Sequence, residues 1–201
     1  MNQADLFQEM DSHLQEDETP SVYINRVSEE PIFREQPFSM LIRLKNTEQS
    51  KKYHPEGNAW NHTMLVVDEA AKEKGQSRNP RALLWAALLH DIGKPDTTRM
   101  RRGKITSYNH EKVGAKLARE FLAQLTDATE LIQSVAGLVR WHMQVLFVTG
   151  NLPFADLEAM KRETDYWEVA LLGFCDRMGR LDADRAKEQE NIKLFLQRVG
   201  E

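Results

Sequence analysis

The chain has 201 residues, 41% of them hydrophobic and 29% charged, with a net charge of −4. That is enough chain for one domain with a sizeable core, too apolar for a disordered segment, and too acidic overall for a nucleic-acid coat or a polybasic membrane binder. The longest purely apolar run, Ala82 to Leu89, falls far short of the ~20 residues that span a bilayer, and acids from Asp5 to Glu18 precede the first cation, Arg26, as in neither a secretory nor a transit segment.

Leu6, Phe7, Met10 and Leu14 repeat at helical spacing and predict a short amphipathic helix over 4–14. Residues 15–35, with Pro20 and Pro31 among scattered charges, read as an irregular lead-in. Residues 1–35 are therefore expected to be an extension packed on a domain running from 36 to 201. Phe38, Leu41, Ile42 and Leu44 suggest a second short helix, and the Pro and Gly of residues 53–58 mark a loop. Met64, Val67, Ala70 and Ala71 predict a helix over 60–74, with Gly75 placed as its left-handed cap. Asn79-Pro80 supplies an N-cap and an N1 proline to an apolar helix ending at His90. Residues 97–100 and 104–108 flank Arg101-Arg102-Gly103 as a small hairpin or ordered loop. Four more helices are expected over 109–124, 128–145, 164–180 and 182–197, with Asp165 and Glu168 in the first turn of the third. The fold class expected is all-α, in a single domain.

Ligand-type residues fall on the apolar faces of these helices. His90 follows Leu83 and Ala87 by seven and three residues; His142 follows Val135, Leu138 and Val139 by seven, four and three; Asp176 stands in the same relation to Val169, Leu172 and Gly173. His110 opens a helix whose matching face runs through Val113, Gly114, Leu117 and Phe121, and His62 lies near the start of its own helix. Taken alone, an inward histidine is more often a hydrogen-bonded core residue, and Asp176 has Arg180 one turn away as a salt-bridge partner. Burying all of these groups without partners costs on the order of 1–3 kcal/mol each, and a shared metal would satisfy them together. His54 reads as a surface or loop-bracing residue and His13 as solvated. Trp60, Trp85, Trp141 and Trp167 read as packing residues. Cys175, the single cysteine, reads as structural and facing away from Asp176. With no second cysteine for an internal disulfide, a cytoplasmic location is expected.

His62, then His90-Asp91 within Leu89-His90-Asp91-Ile92-Gly93-Lys94, then Asp176, resembles the metal-binding signature of the HD superfamily of metal-dependent phosphohydrolases. His110 and His142 resemble its extended, two-metal version. His54-Pro55-Glu56-Gly57-Asn58, Trp60-Asn61-His62-Thr63 and Asn109-His110-Glu111 are most similar to the HD domain of bacterial CCA-adding tRNA nucleotidyltransferases. The resemblance covers roughly residues 36–180. No counterpart of the nucleotidyltransferase head is visible, so only the hydrolase module is expected here, and no Gly-Tyr-Pro follows His110 as in the cyclic-di-GMP phosphodiesterases.

The resemblance implies an HD-type helical domain in which His62, His90, Asp91 and Asp176 hold one divalent transition metal (Mn, Fe, Ni, Co or Zn). Asp91 would bridge to a second, held by His110 and His142, and a metal-activated water would cleave a phosphate mono- or diester of a nucleotide, a related small anion or an RNA end. Asp91 and Lys94 are then the catalytic residues, with Lys94 meeting a phosphate oxygen; the alternative for Lys94 is a solvated charge at a helix end. Lys94, Arg101, Arg102 and Lys104 belong to a basic segment of five cations against Asp96 alone, either a substrate-attracting loop or a solvated hairpin tip. Two other chemistries stay open: a diiron oxygenase on the same ligands, and a nucleotide-binding regulatory module without turnover. The intact ligand set argues against the second.

Overall fold

The computed structural model describes residues 2–200. Helix α1 (Gln3–Glu16) opens with a capping box, in which the Asn2 side chain accepts from Asp5 N and the Asp5 side chain accepts from Asn2 N. Its predicted stripe of Leu6, Phe7, Met10 and Leu14 is at most 5% exposed and belongs to the same hydrophobic core as the rest of the chain. The stretch expected to be irregular instead contains α2 (Ser21–Val27) and a 3-10 turn, Pro31–Arg34. Pro20 and Pro31 sit at the N-cap and first turn of these elements, where a missing N–H costs nothing, so each proline opens a helix rather than breaking one.

Helix α3 (Ser39–Ile42) and a 3-10 turn, Arg43–Asn46, lead into a loop closed at its base by an isolated bridge between Glu48 and Asn58. Helix α4 (Ala59–Glu73) follows, capped by the Asn58 side chain, and ends in a 3-10 turn, Lys74–Gln76. Gly75 lies inside that turn rather than in the left-handed region. Helix α5 (Pro80–Leu89) has the predicted Asn79 cap, and Ala82 through Leu89 are completely buried.

After the short α6 (Lys94–Thr97), β1 (Arg99–Arg101) and β2 (Lys104–Thr106) form the expected hairpin, with Arg101 opposite Lys104. Arg102 and Gly103 both have positive φ, as a two-residue hairpin loop requires. Helices α7 (His110–Ala123) and α8 (Thr129–Trp141) pack along each other. The helix expected over 128–145 breaks at His142 and Met143, and α9 (Gln144–Thr149) follows. The stretch Thr129–Thr149 has the length and mean hydropathy, 1.2, of a membrane span, but it is broken at that turn and 61% buried.

Helix α10 (Leu157–Glu163), which the apolar spacing did not announce, is capped by Asp156. Helices α11 (Tyr166–Met178) and α12 (Arg185–Gly200) complete the chain. The fold is all-α apart from the hairpin, with α5 at its centre against α4, α8 and α11. Trp60, Trp85 and Trp141 are core residues as expected, and their N–H groups are taken by Asn25, Asp11 and Glu163.

Candidate metal centre

The buried α5 carries its C-terminal end into the middle of the molecule, delivering His90 as its C-cap and Asp91 in the following turn, each 1% exposed. That turn lies directly against α7. A Cβ on Gly93 would stand 2.2 Å from the carbonyl oxygen of His110 and 2.6 Å from Gly114 N, so only glycine permits the approach that brings the start of α7 to Asp91. Asn109, in a left-handed conformation that asparagine tolerates, turns the chain so that His110 opens α7. His142 is the C-cap of α8, His62 lies on α4, and Asp176 lies near the end of α11, which packs against α4. Five elements distant in sequence thus converge.

Asp91 is common to two groups of donors. Its carboxylate gathers with His62 and His90 on one side and with His110 and His142 on the other, the donor atoms of each group lying within 4.8 Å of one another. His90 Nε2 is 3.3 Å from Asp91 Oδ2, and His110 Nε2 is 3.5 Å from Asp91 Oδ1. Asp176 Oδ1 joins the first group through His62 Nε2, at 2.9 Å. The alternative pairing of Asp176 with Arg180 is not formed among the described ion pairs; Arg180 acts on it only through its field, which with the His62 contact outweighs burial and holds the Asp176 carboxyl well below the usual range.

The protons show what these atoms are prepared for. His90, His110 and His142 each donate Nδ1–H to a backbone carbonyl, of Ala87, Ser107 and Val139, at 2.8 Å. A carbonyl only accepts, so Nε2 is the nitrogen each ring has left to offer a metal. His110 Nε2 and His142 Nε2 face each other at 3.2 Å, an arrangement that a cation between or beside them would satisfy. Burial disfavours a proton there. Burial lowers the pKa of His110, and burial together with His110 and His90 pushes His142 down to about 3. His90 Nε2 is buried with no hydrogen-bond partner. Three aligned imidazole lone pairs beside a shared carboxylate form a donor set that fits divalent transition metal.

His62 differs: its Nδ1 lies 2.9 Å from Glu56 Oε1 and its Nε2 2.9 Å from Asp176 Oδ1. Burial opposes its charge, but the two carboxylates outweigh burial and raise its pKa. Entry of a divalent ion at this pair requires release of the shared proton. Glu56 is a candidate site residue whose place spacing could not reveal, because it sits in a loop with no periodicity; its side chain is 2% exposed. His54 braces that loop by donating to Glu56, and His13, expected to be solvated, stacks on Tyr23 at 3.7 Å between ring centroids and bonds Asp17.

Lys94 is 8% exposed rather than a solvated helix-end charge, with Nζ 2.7 Å from Asp91 Oδ2 and a further bond to Gln49. Burial works against the charge of Asp91, but His90 and Lys94 prevail and keep its carboxyl well below the usual range. A groove of about 1040 Å³ opens between the 47–58 loop and the hairpin, lined by Gln49, Lys51, Lys52, Tyr53 and Lys104 among others, and Gln49 links it to the centre through Lys94. Arg101 and Arg102 stand outside that lining at the exposed hairpin tip, with the Arg101 guanidinium 5.4 Å from the Tyr108 ring centroid. Cys175 is buried beside Glu73 and Glu69, as a structural residue would be.

Residues 59–187 match the HD domain family. The chain is 32% identical over 147 residues to a multifunctional CCA protein of Actinobacillus pleuropneumoniae serotype 5b, a match covering 73% of this chain and 35% of that protein. It is 39% identical over 90 residues to a CC-adding tRNA nucleotidyltransferase of Thermus thermophilus, covering 44% of this chain and 20% of the relative. A multifunctional CCA protein of Paracidovorax citrulli is 28% identical over 162 residues, covering 77% of this chain and 37% of that protein. The chain spans little more than a third of these relatives at most.

Proposed function

From the membership of this chain in the HD domain family, within the superfamily of metal-dependent phosphohydrolases, we propose that it hydrolyses a phosphate mono- or diester of a nucleotide or an RNA end. The carrying observation is the pair of bare imidazole nitrogens, His110 Nε2 and His142 Nε2, held 3.2 Å apart beside Asp91. His62, His90, Asp91 and Asp176 would hold one divalent metal and Asp91, His110 and His142 a second. When bound, such a pair supplies Lewis acidity that polarises a phosphoryl oxygen and acidifies water.

The protein's own groups do the rest. Asp91, kept ionised by its cationic surroundings, is the donor common to both positions. The Lys94 ammonium sets a fixed positive charge where charge builds on phosphoryl oxygens, in a site largely closed to water. Lys51, Lys52 and Lys104 along the groove, with Arg101 and Arg102 beyond it, draw an anion toward the centre. These cations favour phosphate chemistry over the oxygenase alternative, and the tRNA in the name of the Thermus thermophilus relative supports an RNA end as substrate.

The test is turnover of 2′,3′-cyclic AMP and bis(p-nitrophenyl) phosphate by protein loaded anaerobically with Mn²⁺ or Ni²⁺. Release of product under both metals is expected. Turnover confined to the iron form, with stoichiometric oxygen uptake, would replace hydrolysis with oxygenase chemistry.

A further inference from the structure

Gln49 lies at the inner wall of the basic groove, 6% exposed, and belongs to none of the motifs that define the metal centre. Its amide orientation is settled by its neighbour. Lys94 Nζ can only donate, so the atom it meets is the amide oxygen, Oε1. That leaves Nε2 as a donor, and Nε2 is buried without any hydrogen-bond partner. A buried amide N–H left unpaired is costly, and such groups concentrate where a ligand completes them. Lys94 in turn stands 2.7 Å from Asp91. Gln49 is therefore one side chain removed from the carboxylate shared by both donor groups, and it also lines the groove.

The loop is built to keep it there. The Glu48–Asn58 bridge, the bond from Ala59 N to Thr47 O and the bond from Asn58 Nδ2 to Lys45 O close the loop base around it. The wall beyond carries Lys51, Lys52 and Lys104 against Glu48, so the space offers cations to whatever enters, and the residue with the unspent, buried amide donor is part of that wall.

We propose that Gln49 is a substrate-binding residue whose Nε2 donates to an oxygen of the phosphate group presented to the metal centre, while the groove takes the organic remainder of the ester. This subsite rests on the phosphoester reading for the identity of its anion. The same observations separate it from a purely structural role. If Gln49 served only to hold Lys94, a glutamate would do so at least as well, because it keeps the acceptor. As a substrate donor, glutamate is the worst replacement, since it removes the N–H and adds a repelling charge.

The experiment uses the full chain loaded with Mn²⁺, comparing wild type, Gln49→Glu and Gln49→Met. Metal content and circular dichroism are checked first. Inorganic phosphate binding is then measured by titration calorimetry, alongside KM and kcat for bis(p-nitrophenyl) phosphate. The expected result is unchanged metal content, phosphate affinity and KM at least tenfold worse in Gln49→Met, and a larger loss in Gln49→Glu. Wild-type behaviour of Gln49→Glu overturns the proposal, whether or not Gln49→Met folds, and so does failure of the wild type to bind phosphate. Gln49-dependent phosphate binding without ester turnover upholds the subsite and removes the hydrolase reading. Turnover that is indifferent to both variants does the reverse.

Discussion

Glu56 Oε1 accepts a hydrogen bond from His54 Nδ1 at 2.8 Å and stands 2.9 Å from His62 Nδ1, joining a loop residue to a buried imidazole of the candidate metal centre. A carboxylate behind a ligand histidine fixes the ring and its proton on one nitrogen, which leaves the other to serve as donor. Glu56→Gln should therefore weaken divalent-metal affinity by about 10–100-fold while leaving the helical circular dichroism intact. Competition with a fluorescent chelator measures this; affinity equal to wild type would show that Glu56 only braces its loop.

Asp91 takes part in both donor groups, whereas His142 takes part in one. Asp91→Ala should abolish metal retention, and His142→Ala should keep one metal position and lose the other, as read by elemental analysis after dialysis. Chelation should also destabilise the wild type, because it restores the apposition of the His110 and His142 lone pairs. A ligand at a hundred times its dissociation constant contributes about 2.7 kcal/mol, so chelator should lower Tm by roughly 5–10 °C for a chain of this size. Equal loss of metal from both variants would mean the two positions are not separable.

The N-terminal helix is joined to the core through Asp11, whose Oδ1 accepts from Trp85 Nε1 at 2.7 Å and from Arg81 Nε at 2.8 Å. Asp11→Ala leaves the indole N–H of a fully buried tryptophan unpaired and should cost about 1–3 kcal/mol. Arg81→Ala removes a pair whose arginine side chain is 39% exposed and should cost under about 1 kcal/mol. Urea melts of the two variants check the ordering. The reverse order would place residues 3–16 outside the cooperative unit.

Helix α12 is tied to α11 by the Glu188–Arg177 pair at 2.8 Å, with Asn191 as a second donor to Glu188. Burial alone would raise the Glu188 pKa, but the bonds from Arg177 and Asn191 prevail and lower it from its ordinary 4.5. A carboxyl with a depressed folded-state pKa contributes stability above its unfolded value and loses it as the pH falls through the folded one. Glu188→Gln should therefore cost about 1–3 kcal/mol at pH 7, with the difference from wild type shrinking below pH 4.5. A difference independent of pH from 7 to 3 would assign the effect to packing.

The helical faces of His90, His142 and Asp176 were legible in the sequence because a fixed period of 3.6 residues carries a buried face along a helix whatever lies opposite it. The cap at Asn79, the hairpin turn at Arg102-Gly103 and the dyad itself are equally local, set by chemistry within a few residues. Tertiary packing decided the relations between elements. The close approach of Gly93 to α7, which brings His110 to Asp91, depends on neighbours distant in sequence. Periodicity could not reveal the role of Glu56, which the sequence showed only as part of a family motif, or that of Gln49. Both lie in a loop without periodicity, and each acquires its role from a partner on another element, His62 for one and Lys94 for the other. Periodicity says which way a side chain faces; only the assembled chain says what it meets.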